Sequence, residues 1–203
     1  SLASAASGGG SSGLSSAQVN TLIQAQNEYE YITKIEQNSN VSEWLITGGL
    51  DHTKYRSHKY LITRGEFFSN NYLHWHLLQA DGSTRWSYGG TWRSRRNVSS
   101  HSSVATIATN SELYFDSQAR TSGWNIFAEI EVFDDNHQNT GTGDNYIHVY
   151  TRSGMGRADG YYSGVTDGHA YMKKQNADTK YGGISLRADL KNLTVLIFGM
   201  RRR

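Results

Sequence analysis

The stretch RWSYGGTWRSRR, Arg85 to Arg96, places Trp86, Tyr88 and Trp92 among Arg85, Arg93, Arg95 and Arg96 within twelve residues. Aromatic faces stack on sugar rings or bases, and guanidinium groups pair with carboxylates or phosphates, so the combination suits recognition of an anionic glycan. These seven residues are the candidate ligand-binding set. The competing reading turns Trp86 and Trp92 toward the core or a neighbouring subunit and leaves the arginines in solvent. A nucleic-acid patch is the weaker expectation. The chain carries 20 Lys and Arg against 18 Asp and Glu, a net charge of only +2, with a pI near 8.7.

Other constellations are sparser. His74-x-His76 on a strand would put two imidazoles on one face, as a metal pair requires, but no third ligand stands at a compatible spacing, and no metal is assigned. The ordinary reading is histidines at a strand surface or a subunit contact. Asp134, Asp135 and Asp144 could offer oxygens to calcium, yet their spacing matches no defined calcium loop, and a solvated hairpin tip is expected. That polar loop is the second candidate for ligand contact. Glu129 and Glu131 alternate on one strand, about 6.5–7 Å apart, a spacing compatible with paired glycosidase carboxylates. Two glutamates on an exposed strand face are also commonplace. The chain has no G-x-S-x-G or H-E-x-x-H, and Gly154-Met155-Gly156 lacks the strand-to-helix setting of a phosphate loop. The expectation is a non-enzyme without a cofactor. Arg201-Arg202-Arg203 reads as a soluble end to an apolar strand.

The elements that position these residues follow from pattern. With 36% hydrophobic and 19% charged residues, 13 tyrosines and 5 tryptophans, the composition favours strands and turns over helices and argues against disorder. No Cys is present, so neither disulfides nor thiolate metal sites arise. No apolar run approaches the roughly 20 residues that span a bilayer, so membrane insertion is not expected. Strand patterns occupy Tyr55 to Arg64, Tyr72 to Ala80, Trp124 to Phe133, Asn145 to Thr151, Gly183 to Ala188 and Leu193 to Met200. In WNIFAEIEVF, Trp124, Ile126, Ala128, Ile130 and Val132 share one face. Turn signals fall at Asp81 to Ser83, Tyr88 to Gly90, Asp134 to Asp144, Thr166 to Gly168 and Tyr181 to Gly183. The fold class expected is all-β, with antiparallel sheets packed face to face.

The front of the chain has a different pattern. Residues 1–13 form a Gly/Ser-rich leader, and the absent initiator Met suggests a processed chain or a piece of a longer one. Ser15 and Gln18 form a capping box with Leu14 and Val19 as its staple. Leu22, Ala25, Tyr29 and Ile32 then recur at the spacing of a narrow helical seam, up to the Asn38-Ser39-Asn40 break. A helix from Ser15 to Gln37 this polar outside its seam needs partners, and copies of itself are the favoured ones.

The order of these segments resembles the C-terminal jelly-roll modules of tailed-phage fibres and related virion appendages. The features that carry it are the Gly/Ser leader, a helix opening SSAQVNTLI, a first strand near Glu43-Trp44, KYLITRGEFF, the turn QADGST, and a close in which Ile197-Phe198-Gly199-Met200 ends GGISLRADLKNLTVLIFGMRRR. The resemblance covers most of residues 14 to 203. It implies a homotrimer on the virion surface, with a helical neck over residues 14–38 and a jelly-roll-like β-sandwich head over 41–203. The N-terminal side would attach to other virion proteins, and the head would bind a host cell-surface glycan. Alternatives are a capsid fibre, a decoration or a tail-assembly connector, and, from another class, a glycan-cleaving depolymerase head.

Overall fold

A computed structural model describes residue 15 and residues 28–69, 73–86, 90–98, 101–109, 113–114, 122–134, 146–157, 162–173 and 180–202. The described residues form eleven strands and no helix: β1 (Tyr29–Gln37), β2 (Val41–Ile46), β3 (Tyr55–Phe67), β4 (His74–Gln79), β5 (Gly90–Val98), β6 (His101–Thr109), β7 (Leu113–Tyr114), β8 (Trp124–Phe133), β9 (Tyr146–Arg157), β10 (Tyr162–Lys173) and β11 (Tyr181–Arg201). Every pairing is antiparallel.

The long strand β11 organises the rest. Its first half pairs with β2 on one side and β4 on the other. Its second half pairs with β1 and β3 in the same two places. From there the sheet continues through β8, β9, β10 and β5 to β6, giving eight antiparallel strands. The halves meet near Asn192, whose φ of 53° is the left-handed conformation that Asn tolerates better than most residues. Register shifts cluster at this point, between Arg187 and Leu190 against β2 and between Lys191 and Thr194 against β3. Such irregularities bend a strand and increase its twist. The two expected strands, Gly183 to Ala188 and Leu193 to Met200, are therefore one bent strand, and Tyr181 to Gly183 is its start rather than a turn. Thr166 to Gly168 likewise lies inside β10.

Side chains from both halves belong to one hydrophobic core. Ile46, Trp75, Leu77, Ile184 and Leu186 join Ile62, Ile130, Val132, Val149, Val195 and Ile197 in a single buried cluster. The alternation expected in β8 is present: Ile126, Ala128, Ile130 and Val132 are buried, and Trp124 packs against them.

The helix expected through Gln37 is corrected over its second half. Tyr29 to Gln37 is a strand docked along β11, with Tyr29 opposite Met200 and Gln37 opposite Leu193. Ile32 packs on the core, and Tyr29 hydrogen-bonds Glu131. Tyr29 and Ile32 thus contact their own domain, and the boundary drawn at residue 38 falls between β1 and β2, two strands that both pair with β11. Leu22 and Ala25 lie outside the described residues. The physical reason is composition: YEYITKI is rich in aromatic and β-branched residues, which favour a pleated surface next to an open strand edge.

Candidate ligand-binding face

The eight-stranded sheet has one face on the core and one turned away from it. On the outward face the strand registers line up across the whole sheet. Tyr31 stands opposite Phe198, Phe198 opposite Lys59, Lys59 opposite Glu131, and Glu131 opposite Tyr150. The line continues to His169, and in backbone register beyond it stand position 93 of β5 and position 106 of β6. Seven interstrand steps make it about 34 Å long. Beside it runs a second line: Lys34, Leu196, Leu61, Glu129, Arg152, Asp167, Arg95 and Val104. One row is rich in aromatic residues, and the other alternates charge over its central part.

Large apolar groups stand open on this face. Tyr31 is 55% exposed, Phe127 51% and Tyr150 49%. Tyr31 meets Phe198 edge to face at 5.8 Å. Phe133 meets Tyr150 edge-on at 5.6 Å, and Tyr150 stacks on His169 at 4.7 Å. His169 stacks in turn on His148 at 5.6 Å between ring centroids, with 6° between the planes. Cross-strand aromatic pairs of this kind hold each ring in place.

Between the aromatic groups lies a polar network. Glu131 accepts hydrogen bonds from the phenol of Tyr29 and, at 3.2 Å, from Ser57 Oγ. Lys59 Nζ lies 3.0 Å from Glu129 and 3.8 Å from Glu131, and 4.4 Å from the centre of the Tyr29 ring. Burial first, and then the bond and charge of Glu131, push the Tyr29 phenol well above its ordinary pKa, so it remains a donor. Both carboxylates of the expected glycosidase spacing share one ammonium, and Glu131 is further held by two hydroxyls. In the adjacent row Arg152 pairs with Asp167 at 3.4 Å.

The arginine-rich candidates separate. Arg85 makes a bidentate pair with Glu43 of β2, at 3.1 Å through Nε and 2.6 Å through Nη2. Burial opposes the Glu43 charge, but Arg85 and the Ser185 hydroxyl outweigh it and hold this carboxyl below its usual range. Trp86 is 5% exposed and belongs to the core. Tyr88 lies outside the described residues. Trp92, Arg93, Arg95 and Arg96 are on β5, whose backbone sets Arg93 opposite His169 and Arg95 opposite Asp167. The arginine segment therefore enters the same sheet that carries the aromatic row.

Three other expectations are redrawn. His74 and His76 are both buried in β4 rather than placed at a surface. Asp134 is not a loop tip: it is buried at the end of β8, 3.5 Å from His52 Nδ1 and 3.9 Å from Lys180. Asp135 and Asp144 lie outside the described residues. Arg201 pairs with Glu30 at 2.9 Å, and Arg202 donates to the carbonyls of His52 and Asp134, so these two arginines tie the end of β11 to its neighbours. Among the described residues, no group of three or more His, Asp or Glu is placed to hold a metal.

A buried polar cluster lies behind the sheet. The Tyr181 phenol hydrogen-bonds His58 Nδ1, and His52 Nε2 lies 2.9 Å from the Tyr181 carbonyl. Burial, with the charge of His52 second, pulls His58 down to about 4, which leaves it neutral at pH 7. Tyr60 and Tyr181 are pushed up by burial in the same place. The cluster bridges β3 and β11, and its hydrogen bonds tie these strands together.

Sequence reasoning missed Tyr31, Tyr150, His148 and His169. Alternation in YIHVY does put His148 and Tyr150 on one side, but their neighbour His169 directly follows Thr166 to Gly168, which reads as a turn. No family model, curated protein or solved structure matches the chain.

Proposed function

We propose that this chain is the β head of a trimeric virion appendage, and that it binds a host cell-surface polysaccharide along the outward face of the eight-stranded sheet. The carrying observation is the row from Tyr31 to His169. Its aromatic groups offer apolar contact to sugar rings, and the charged row beside them supplies donors and acceptors for hydroxyl or carboxylate groups. In this reading β2, β4 and the first half of β11 cover the core side of the sheet, completing a jelly-roll-like β-sandwich. Three copies give a weak site three attachments to a repetitive surface. The head binds without cleaving, since the Glu129 and Glu131 carboxylates are taken up by Lys59, Ser57 and Tyr29.

The test is binding of the purified chain to host cells and to their isolated polysaccharide. Tyr31→Ala and Tyr150→Ala should each weaken binding about tenfold. Leu45→Ala, an exposed position on β2, should leave it unchanged. Equal binding by all three variants would remove the outward face from the mechanism, and release of oligosaccharides would replace adhesion with hydrolysis.

A further inference from the structure

A different pair of histidines from the one sequence spacing suggests comes together on the outward face. His148 on β9 and His169 on β10 are diagonal neighbours in a ladder where His148 faces Tyr171 and His169 faces Tyr150. Their rings are parallel to within 6°, and His148 Nδ1 lies 3.3 Å from His169 Nε2. This is an imidazole hydrogen bond, in which one nitrogen carries a hydrogen and the other accepts it through its lone pair. Such a bond gives the pair an uneven response to acid. A first proton enters at the far nitrogen of the donor ring and leaves an N–H···N bond from a charged donor, stronger than the neutral one. A second proton has to occupy the accepting lone pair, which sets two N–H groups and two like charges against each other. The pair therefore takes up one proton where two separate histidines take up two.

We propose that the His148–His169 pair is a one-proton switch through which mild acid strengthens the hold of the outward face on a polysaccharide of carboxylate-bearing sugars. The inference rests on that face being the binding face, and it adds the charge of the ligand and the condition under which it is held. Histidine is the side chain whose ordinary charge change falls between about pH 5 and 8. Burial first, and then the charge of His148, hold His169 below its ordinary pKa, so the proton is carried by His148, the exposed partner. The neighbouring charges surround this position on three strands. On β8, Glu131 stands opposite Tyr150 and is already engaged by Tyr29, Ser57 and Lys59. Further along β9 and β10, Arg152 and Asp167 pair with each other. On β5, position 93, an arginine, stands opposite His169 in register. The two carboxylates are thus balanced before the pair takes its proton, and the added charge is a cation beside the Tyr150 ring that stacks on His169. An aromatic face next to a positive charge matches a sugar ring that carries a carboxylate.

The experiment measures binding of the untagged full chain to polygalacturonate, whose carboxylates stay ionised throughout this range, with dextran as the uncharged counterpart. At low salt, affinity for polygalacturonate should be about three- to tenfold higher at about pH 5.5 than at about pH 7.5, the effect of one unit charge at a solvated surface. The gain should shrink as salt is added, and dextran should show none. NMR titration of the histidine ring signals should show the pair taking up one proton across the same range. His148→Gln and His169→Gln, each shown to be folded by its thermal transition, should each bring the ratio of the two affinities to about one, and His101→Gln should preserve it. Uptake of two protons by the pair, a ratio near one in the unaltered chain, or a ratio that survives both substitutions would overturn the switch. So would an absence of binding to polygalacturonate at both pH values. Whether the outward face binds glycan at all is decided separately, by Tyr31→Ala and Tyr150→Ala on the host polysaccharide.

Discussion

The phenol of Tyr181, the first residue of β11, hydrogen-bonds the imidazole of His58 on β3 inside the core. The contact ties the half of β11 that pairs with β2 and β4 to a strand of the eight-stranded sheet. Tyr181→Phe keeps the ring but leaves His58 Nδ1 buried without this partner. A loss of about 1–3 kcal/mol is expected from urea unfolding.

The same histidine makes stability depend on pH. His58 titrates at about 4 in the fold against an ordinary 6.5. Between those values the unfolded chain holds a proton that the native chain does not, so unfolding free energy rises with pH across this window. The stability is complete above about 6.5 and is lost as pH falls toward 4, by about 3 kcal/mol at most from this group. Urea midpoints at pH 7.5, 6 and 4.5 should descend in that order. A flat profile would mean that the ring is hydrated.

Removing residues 1–27 should leave the β domain folded, because its first strand begins at Tyr29. Removing residues 1–37 takes away β1, opens the edge of the second half of β11 and strips Ile32 and Ile35 from the core. That shorter chain should be less stable by about 2–5 kcal/mol and prone to edge-to-edge association. Sedimentation of the first truncation also tests the trimer. If residues before 28 form the neck, it should run as a monomer, whereas a trimer would place the contacts on the head.

Gly183 is held at φ 146° between β2 and β4. A Cβ there would stand 2.3 Å from the Ile46 carbonyl oxygen and 3.0 Å from Thr47 Cα. Both are backbone atoms with little room to retreat. Gly183→Ala should cost about 2–4 kcal/mol and lower the thermal midpoint.

Arg85 and Trp86 are neighbours in sequence with opposite consequences. The Arg85–Glu43 pair is partly solvated, so Arg85→Ala should cost no more than about 1 kcal/mol. It can therefore be used to test ligand binding. Trp86→Ala should cost about 3–5 kcal/mol, and a binding defect in that variant would report unfolding. Circular dichroism melts of the two proteins distinguish these cases.

Strand β8 was legible in sequence because its alternation is local and strict. The second half of the expected helix was not, because Tyr29 and Ile32 satisfy a helical spacing while the aromatic and β-branched residues Tyr29, Tyr31, Ile32, Thr33 and Ile35 equally suit a strand, here one with a register shift between Tyr31 and Thr33. What decides between them is the open edge of β11, more than 150 residues away along the chain. The bend at Asn192 is hidden for a related reason, since one strand crossing a corner reads as two short ones. The outward rows depend on seven registers at once. His148 and His169 stand 21 positions apart, and only the pairing of β9 with β10 makes them neighbours.

Because β11 follows in the chain every strand that flanks it, those four strands await their common partner during synthesis. Until it emerges, β1, β2, β3 and β4 carry unsatisfied amide edges and no finished core. Folding is thus deferred to a late event, and nascent chains depend on chaperones or on speed to avoid pairing with one another.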